Sequence, residues 1–175
     1  IFVLWLKIAA ATIPAVLIFP FADKFEEMFY NYQTVAAALI VFGIAFILIE
    51  SAHKGKKAKI NSLAEITFTL AFVIGIFQVI AAVFPGTSRS GATIIGGLLI
   101  GMSRTVAAEF TFFLAVPVMF GASVLKLIKF GLAFESDEIA VLLVGVITSF
   151  VVSVFAIKFL MGYIKRHDFR VFGVY

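Results

Sequence analysis

Cysteine is absent from the 175 residues. Disulfides, thiolate zinc sites and cysteine nucleophiles are therefore excluded, and the absence says nothing about compartment. Charge is scarce. Asp, Glu, Lys and Arg make up 14% of the chain, against about a quarter of a soluble domain. Histidine occurs only at His53 and His167, both inside basic stretches, where a solvated loop side chain is the expected reading. No alternation of apolar and polar residues persists anywhere, which excludes a β-barrel. A Gly-x-x-x-x-Gly-Lys segment is missing too, so there is no P-loop for a nucleotide. The chain shows neither an initiator Met nor a signal-peptide pattern and opens inside an apolar run. It is expected to be part of a longer protein.

What is present is apolar: 63% of residues are hydrophobic and the mean hydropathy is +1.15. A core of this size cannot hide so much apolar surface from water, so lipid is the expected solvent. A helix needs about 20 apolar residues to cross the hydrocarbon layer. Residues 1–22 carry one charge, Lys7, placed where it can snorkel. Residues 28–49, 66–88, 110–125 and 139–157 carry none. Between the first two runs lies "DKFEEMFYNY", an amphipathic connector with interfacial aromatics. The net charge of +4 does not point to nucleic acid, because the basic residues cluster between apolar spans as loop charges do. The class is an all-α integral membrane protein, with residues 1–175 forming one polytopic domain.

Lys and Arg set the orientation. "HKGKKAK" (53–59) and "KRHDFR" (165–170) are the two cytoplasmic markers. If residues 65–84 crossed fully and 104–126 crossed back, the second marker would lie outside. If instead residues 65–101 dip in and return, both markers lie inside and "KFGLAFESDE" (129–138) lies outside. Residues 90–101 are in any case too short to cross. The sequence thus predicts a re-entrant helical hairpin over about 65–101, with its tip near mid-depth.

That tip reads "PGTSRSGAT" (85–93). An arginine in the bilayer centre costs about 2.5–3.5 kcal/mol on insertion scales, and non-helical backbone at that depth must be buried in protein or line a wet cavity. Pro85 disfavours helical geometry at Phe84, and Gly86 permits φ values that other residues avoid. Ser88 or Ser90 can cap the second half-helix, whose N-terminus attracts anions. Arg89 adds a planar fork of donors suited to phosphate. Ser88, Ser90, Thr93 and the backbone around Gly86 and Thr87 complete a predicted phosphate cradle. Ser88 is a donor or a nucleophile, with no base in view; Ser90 is a donor or a cap. Gln78, two turns before the tip, makes a helix–helix hydrogen bond or contacts the site. Gly97 and Gly101 form a small-xxx-small pair for close helix approach. Glu50 and Glu65 read as span ends, and Glu109 as a partner of Arg104 or of the loop.

The same residues carry a resemblance. Pro85, Gly86, Ser88, Arg89, Ser90 and Thr93 match PGxSRSxxT. Ser103, Arg104, Ala107, Glu109 and Phe110 match SR-x-x-A-x-EF, and Leu114, Ala115 and Pro117 match Leu-Ala-x-Pro. This pattern resembles the second signature region of the undecaprenyl-diphosphate phosphatases, the bacitracin-resistance protein family. The resemblance implies a bacterial inner-membrane enzyme that removes one phosphate from a C55 polyprenyl diphosphate, returning the carrier lipid to cell-wall synthesis. It implies two inverted repeats, each with a re-entrant hairpin, and a cavity open to the external face; a homodimer is among the assemblies such a bundle allows. Arg89 would bind the diphosphate, with Ser88 beside it. One departure stands out. The family's other signature, a glutamate-rich hairpin followed by Pro-x-Ser-Ser and a histidine, is not in these residues, and Gln78 falls where that hairpin has a glutamate. A divalent cation, Mg2+ or Ca2+, is implied, with ligands outside this segment. The rival reading is an inverted-repeat transporter or flippase that holds an anionic lipid or solute at the same half-helix. The acid-phosphatase-like lipid phosphatases are excluded, because no His and Asp follow either Ser-Arg pair at the required spacing.

Overall fold

The computed structural model describes residues 2–53, 57–131, 136–165, 167 and 169–174. They form helices α1 (Phe2–Ile18, continued by a 3-10 turn Phe19–Phe21), α2 (Ala22–Phe29), α3 (Tyr32–His53), α4 (Phe68–Val83), α5 (Arg89–Leu99), α6 (Arg104–Phe130), α7 (Ser136–Ile164) and α8 (Arg170–Val174). Four segments are long and apolar enough to cross a bilayer: Phe2–Phe21, Tyr32–His53, Arg104–Phe130 and Glu138–Ile164. Phe150, Phe155 and Phe159 of α7 are exposed, a surface that lipid rather than water would cover. The protein is an all-α, multi-pass integral membrane protein.

Helices α4 and α5 differ from the four spans. At 1.5 Å per residue they are about 24 and 16 Å long, short of the ~30 Å hydrocarbon layer. They fold back on each other: a Cβ on Gly96 of α5 would meet the Phe77 ring of α4 at 2.7 Å. Their outer ends are tied together. The N–H groups of Lys59 and Ile60 donate to the Gly101 carbonyl at 2.9 and 3.1 Å, and Ser103 N–H donates to the Ile60 carbonyl at 2.9 Å. The chain that leaves the hairpin therefore comes back to the strap that entered it. Glu65 braces this foot, accepting from Asn61 N–H at 2.9 Å and from the Ser62 hydroxyl at 3.0 Å. Those bonds hold its carboxyl below the usual range. Thr67 then caps α4 by accepting from Leu70 N–H at 3.2 Å.

The core sits between α1, α4 and α6. Ile8, Ala11, Ala71, Ile74, Phe110 and Leu114 are buried together there. Gly75 lies against α1 so closely that a Cβ would sit 2.2 Å from the Ala11 carbonyl oxygen. Lys7 does not snorkel: it is buried and donates to the Ala64 carbonyl at 3.0 Å, pinning α1 to the hairpin foot. A second cluster joins Phe46 of α3, Ile95 and Leu98 of α5, Ala108 of α6, Ile164 of α7 and Phe169.

Two sequence expectations are corrected. Gly97 does face a neighbouring helix, since its Cβ would meet that of Ala107 at 3.0 Å. Gly101 does not share that face, because α5 ends at Leu99 and Gly101 is the turn residue after it, at φ 95°. Arg104 pairs with Glu50 of α3, not with Glu109. Its Nε donates to Glu50 Oε1 at 2.6 Å, and Nη2 donates to the same oxygen. Five residues turn a helix so that Glu109 points about 140° away from Arg104, whereas α3 ends beside the start of α6.

Lys57, Lys165 and His167 line one cavity with Glu50 and Arg104. The two basic segments therefore meet at one end of the bundle, although residues 54–56, 166 and 168 lie outside the described residues. Ser136 is at the opposite end of α7, a helix of 29 residues and about 43 Å; residues 132–135 of the connecting loop are likewise outside the description. With cysteines placed at 57, 136 and 165, a membrane-impermeant thiol reagent is expected to label 57 and 165 from one side and 136 from the other. Labelling of 165 from the side opposite to 57 would refute this arrangement.

Candidate anion-binding site at the hairpin tip

The tip is built by the end of α4 and the start of α5. Phe84 leaves helical geometry at φ −104°, ψ 106°, before Pro85. Gly86 follows at φ 91°, in the left-handed region where side chains are strained, and a Cβ there would press on Val35 at 2.9 Å. Val35 belongs to the first turn of α3 and Phe29 of α2 packs on Phe84 at 5.0 Å. The tip thus lies beside the α2–α3 connection, separated from the hairpin foot by the 16 residues of α4, about 24 Å of helix.

Ser88 is the cap of α5, its Oγ accepting from Gly91 N–H at 3.2 Å. Ser90 is in the first turn, its hydroxyl 3.1 Å from that of Ser88. The N–H groups of Arg89 and Ser90 have no intrahelical acceptor and mark the positive end of the α5 dipole. Arg89 is exposed, and no ion pair involves it among the described residues. Arg89 is therefore a cation without a carboxylate partner there.

Two groups of the predicted cradle, the Thr87 N–H and the Thr93 hydroxyl, are already engaged within the protein. The Thr87 hydroxyl donates to the Phe84 carbonyl, as does its N–H at 3.3 Å, so Thr87 closes α4 rather than presenting a donor. Thr93 is 2% exposed. One turn beyond the tip its side chain is turned inward, where it donates to the carbonyls of Arg89 and Ser90 and accepts from Thr111 of α6 at 3.0 Å. Thr93 locks α5 to α6.

Gln78 is different. It is 2% exposed and its Nε2 has no hydrogen-bond partner, an arrangement that costs about 1–3 kcal/mol unless a ligand or water answers it. It lines a cavity of about 610 Å³ together with Arg89, Pro85, Thr12, Tyr30 and Pro117. The other walls are apolar side chains of α1, α4 and α6. Ser88 and Ser90 lie on the exposed side of the tip, so Arg89 connects the two surfaces. Thr12, Tyr30 and the Pro117 turn of α6 were not among the predicted site residues; Tyr30 stands inside the aromatic connector and Pro117 in the Leu-Ala-x-Pro stretch.

These groups suit an anion attached to an apolar chain: a guanidinium, first-turn N–H groups, two hydroxyls and a buried amide beside apolar walls. They do not suit a cation. No carboxylate is among the described residues lining the cavity, and no group of three or more His, Asp or Glu among the described residues could hold a metal. Glu65 is fixed at the foot of the hairpin and Glu109 sits one turn into α6 from the same end.

The chain is similar over almost all of its length to known proteins. The chain is 65% identical over 173 residues to undecaprenyl-diphosphatase 1 of Clostridium acetobutylicum, covering 98% of this chain and 63% of that protein. It is 63% identical over 173 residues to the undecaprenyl-diphosphatase of Desulfitobacterium hafniense, covering 98% and 62%. To that of Enterococcus faecalis it is 53% identical over 175 residues, covering 99% and 63%. The chain thus spans a little under two thirds of the length of these curated relatives. The profile described as bacitracin resistance protein BacA matches residues 2–175, so the short hairpin and its arginine-bearing tip belong, with the whole of the surrounding bundle, to a member of the BacA family.

Proposed function

We propose that this chain supplies the anion-binding part of an enzyme that hydrolyses undecaprenyl diphosphate to undecaprenyl phosphate and phosphate. That reaction recycles the lipid carrier of bacterial cell-wall synthesis and confers bacitracin resistance. The observation that carries the reading is the pairing of Arg89, free of carboxylates, with the orphaned amide of Gln78 in one apolar-walled cavity. A polyprenyl diphosphate has the matching form, a polyanionic head on an apolar chain.

In this reading the basic end of the bundle faces the cytoplasm of a bacterial plasma membrane. Helices α4 and α5 enter from it as a re-entrant hairpin, and the tip opens toward the external face. Hydrolysis breaks the bridging P–O bond, and the oxygen of water ends on the released phosphate. Charge grows on the leaving and non-bridging oxygens, so positioned donors supply most of what this region can contribute. Arg89 and the first-turn N–H groups hold the diphosphate, and Gln78 Nε2 donates to it from the buried side. Ser88 uses its oxygen lone pair as a helix cap and keeps its proton for donation, which favours a binding role over a nucleophilic one. The divalent cation implied by the resemblance does not fit the donor set of the tip; its carboxylates would come from outside these residues.

The test compares phosphate release from undecaprenyl diphosphate by the 175-residue chain and by a protein of the relatives' full length. The longer protein is expected to turn over and to stop when chelator is added. The 175-residue chain is expected to be inert, because an anion cradle without base or metal binds a diphosphate but barely hydrolyses it. Robust, chelator-insensitive turnover by residues 1–175 would mean that Ser88 or Glu109 performs chemistry not assigned to it here.

A further inference from the structure

A second cavity, of about 720 Å³, lies at the other end of α5, where the hairpin feet meet the ends of α3 and α7. Four fixed cations line it: Lys57 and Lys59 from the strap after α3, Arg104 from α6 and Lys165 from the end of α7. Glu50 is the only carboxylate among its described lining residues, and Arg104 already engages it. The three lysines are exposed, and no ion pair involves them among the described residues. Ordinary loop lysines scatter into solvent; these converge on one concave surface from two separate segments. The two histidines on its lining are engaged locally: His53 and His167 each direct Nδ1 at a main-chain carbonyl, Ile49 at 2.8 Å and Tyr163 at 3.2 Å, and they are not counted among its cations.

The floor of this cavity repeats the local build of the tip. "GTSRS" (86–90) and "GMSRT" (101–105) share a glycine at positive φ, 91° at Gly86 and 95° at Gly101. In each, the serine caps the next helix, Ser88 accepting from Gly91 N–H at 3.2 Å and Ser103 from Val106 N–H at 3.3 Å. In each, the arginine is the first helical residue. The copies differ in that Arg104 uses Nε and Nη2 on Glu50 while its other terminal nitrogen stays available; the side chain is 40% exposed. Leu98 and Ile164 form an apolar wall beside these donors.

We propose that this cavity is a second anion site, which takes a dianionic phosphate monoester. Four cations against one carboxylate leave a surplus suited to two negative charges rather than one. The phosphate arrives either as free inorganic phosphate or as the head group of a lipid monophosphate, whose first chain carbons would meet Leu98 and Ile164. The inference does not rest on the hydrolase reading, since binding here requires no turnover.

The test is calorimetric titration of the protein in uncharged phosphatidylcholine nanodiscs, on an Arg89→Ala background that silences the tip. Inorganic phosphate and farnesyl monophosphate are the probes, and glycerophosphoglycerol, a monoanionic diester, is the control. Saturable binding of at least one probe is expected, weakening with salt. The triple variant Lys57→Ala, Lys59→Ala, Lys165→Ala is expected to bind about 100-fold more weakly, on the scale of one cation near an anionic surface applied three times. The same three positions as arginine should restore binding, which a merely misfolded variant would not do. Farnesyl monophosphate binding at least about tenfold more tightly than phosphate identifies a lipid head group, and equal affinities identify free phosphate. Absence of saturable binding, equal affinity in the triple alanine variant, or equal binding of the diester would each overturn the proposal.

Discussion

Arg89→Lys is expected to lower kcat for undecaprenyl diphosphate by about 10²–10³, the usual effect of removing one well-placed donor to a developing oxyanion. Substrate affinity should change much less. Lysine keeps the charge but presents a compact point donor where arginine presents a planar fork. The first-turn N–H groups of α5 and the Gln78 amide remain in place to bind the ground state. Loss of kcat with a modest change in KM is the signature of an interaction strengthened in the transition state. Arg89 is exposed and has no ion pair among the described residues, so its replacement should leave thermal stability unchanged and the kinetic effect can be read directly. The measurement is steady-state phosphate release by the full-length protein in detergent. A transporter using the same half-helix to hold an anion would show altered binding and no phosphate release in any variant. Full release by both Arg89→Lys and Arg89→Ala would remove the arginine from the mechanism.

The second large effect concerns stability. Glu50 is 2% exposed while its partner Arg104 is 40% exposed, so the two halves of the pair should respond unequally to truncation. Arg104→Ala leaves a buried carboxylate with only the Phe169 N–H, at 3.4 Å, to bond its other oxygen. Breaking a buried pair in this way typically costs about 3–5 kcal/mol. Glu50→Gln instead leaves a half-solvated guanidinium that water can serve, and the amide oxygen can still accept from it. Thermal unfolding in detergent should therefore show a large fall in midpoint for Arg104→Ala and a small one for Glu50→Gln. Combining the two substitutions should recover most of the loss. If the double variant is no more stable than Arg104→Ala, the cost lies in packing and not in the uncompensated charge.

Both effects trace to a Ser-Arg pair, and the sequence showed the two pairs unequally. "PGTSRSGAT" is legible because polarity inside an apolar run is costly, Pro85 and Gly86 dictate a turn, and an arginine there calls for an anion. The spans are legible for the same reason: twenty apolar residues have few alternatives to a helix in lipid. The segment 65–101 shows its shortness and its charge balance directly. Local chemistry of this kind is written in neighbouring residues.

What only the tertiary structure decided are relations between residues distant in the chain. That Thr93 faces Thr111 depends on the rotation of α5 against α6. That Gln78 is left without a partner depends on what α1 and α6 bring to its side of α4. That Arg104 answers Glu50, 54 residues away, and that Lys57 and Lys165 share a cavity, depend on α3, α6 and α7 ending at one level. Side-chain spacing along a helix constrains its face, but the partner of that face is set by packing, which sums many weak contacts over the whole bundle. The composition and the polar run PGTSRSGAT determined a helical membrane protein with a short hairpin that carries an arginine at its tip. Packing determined which of its hydroxyls, amides and cations are still free to meet a ligand.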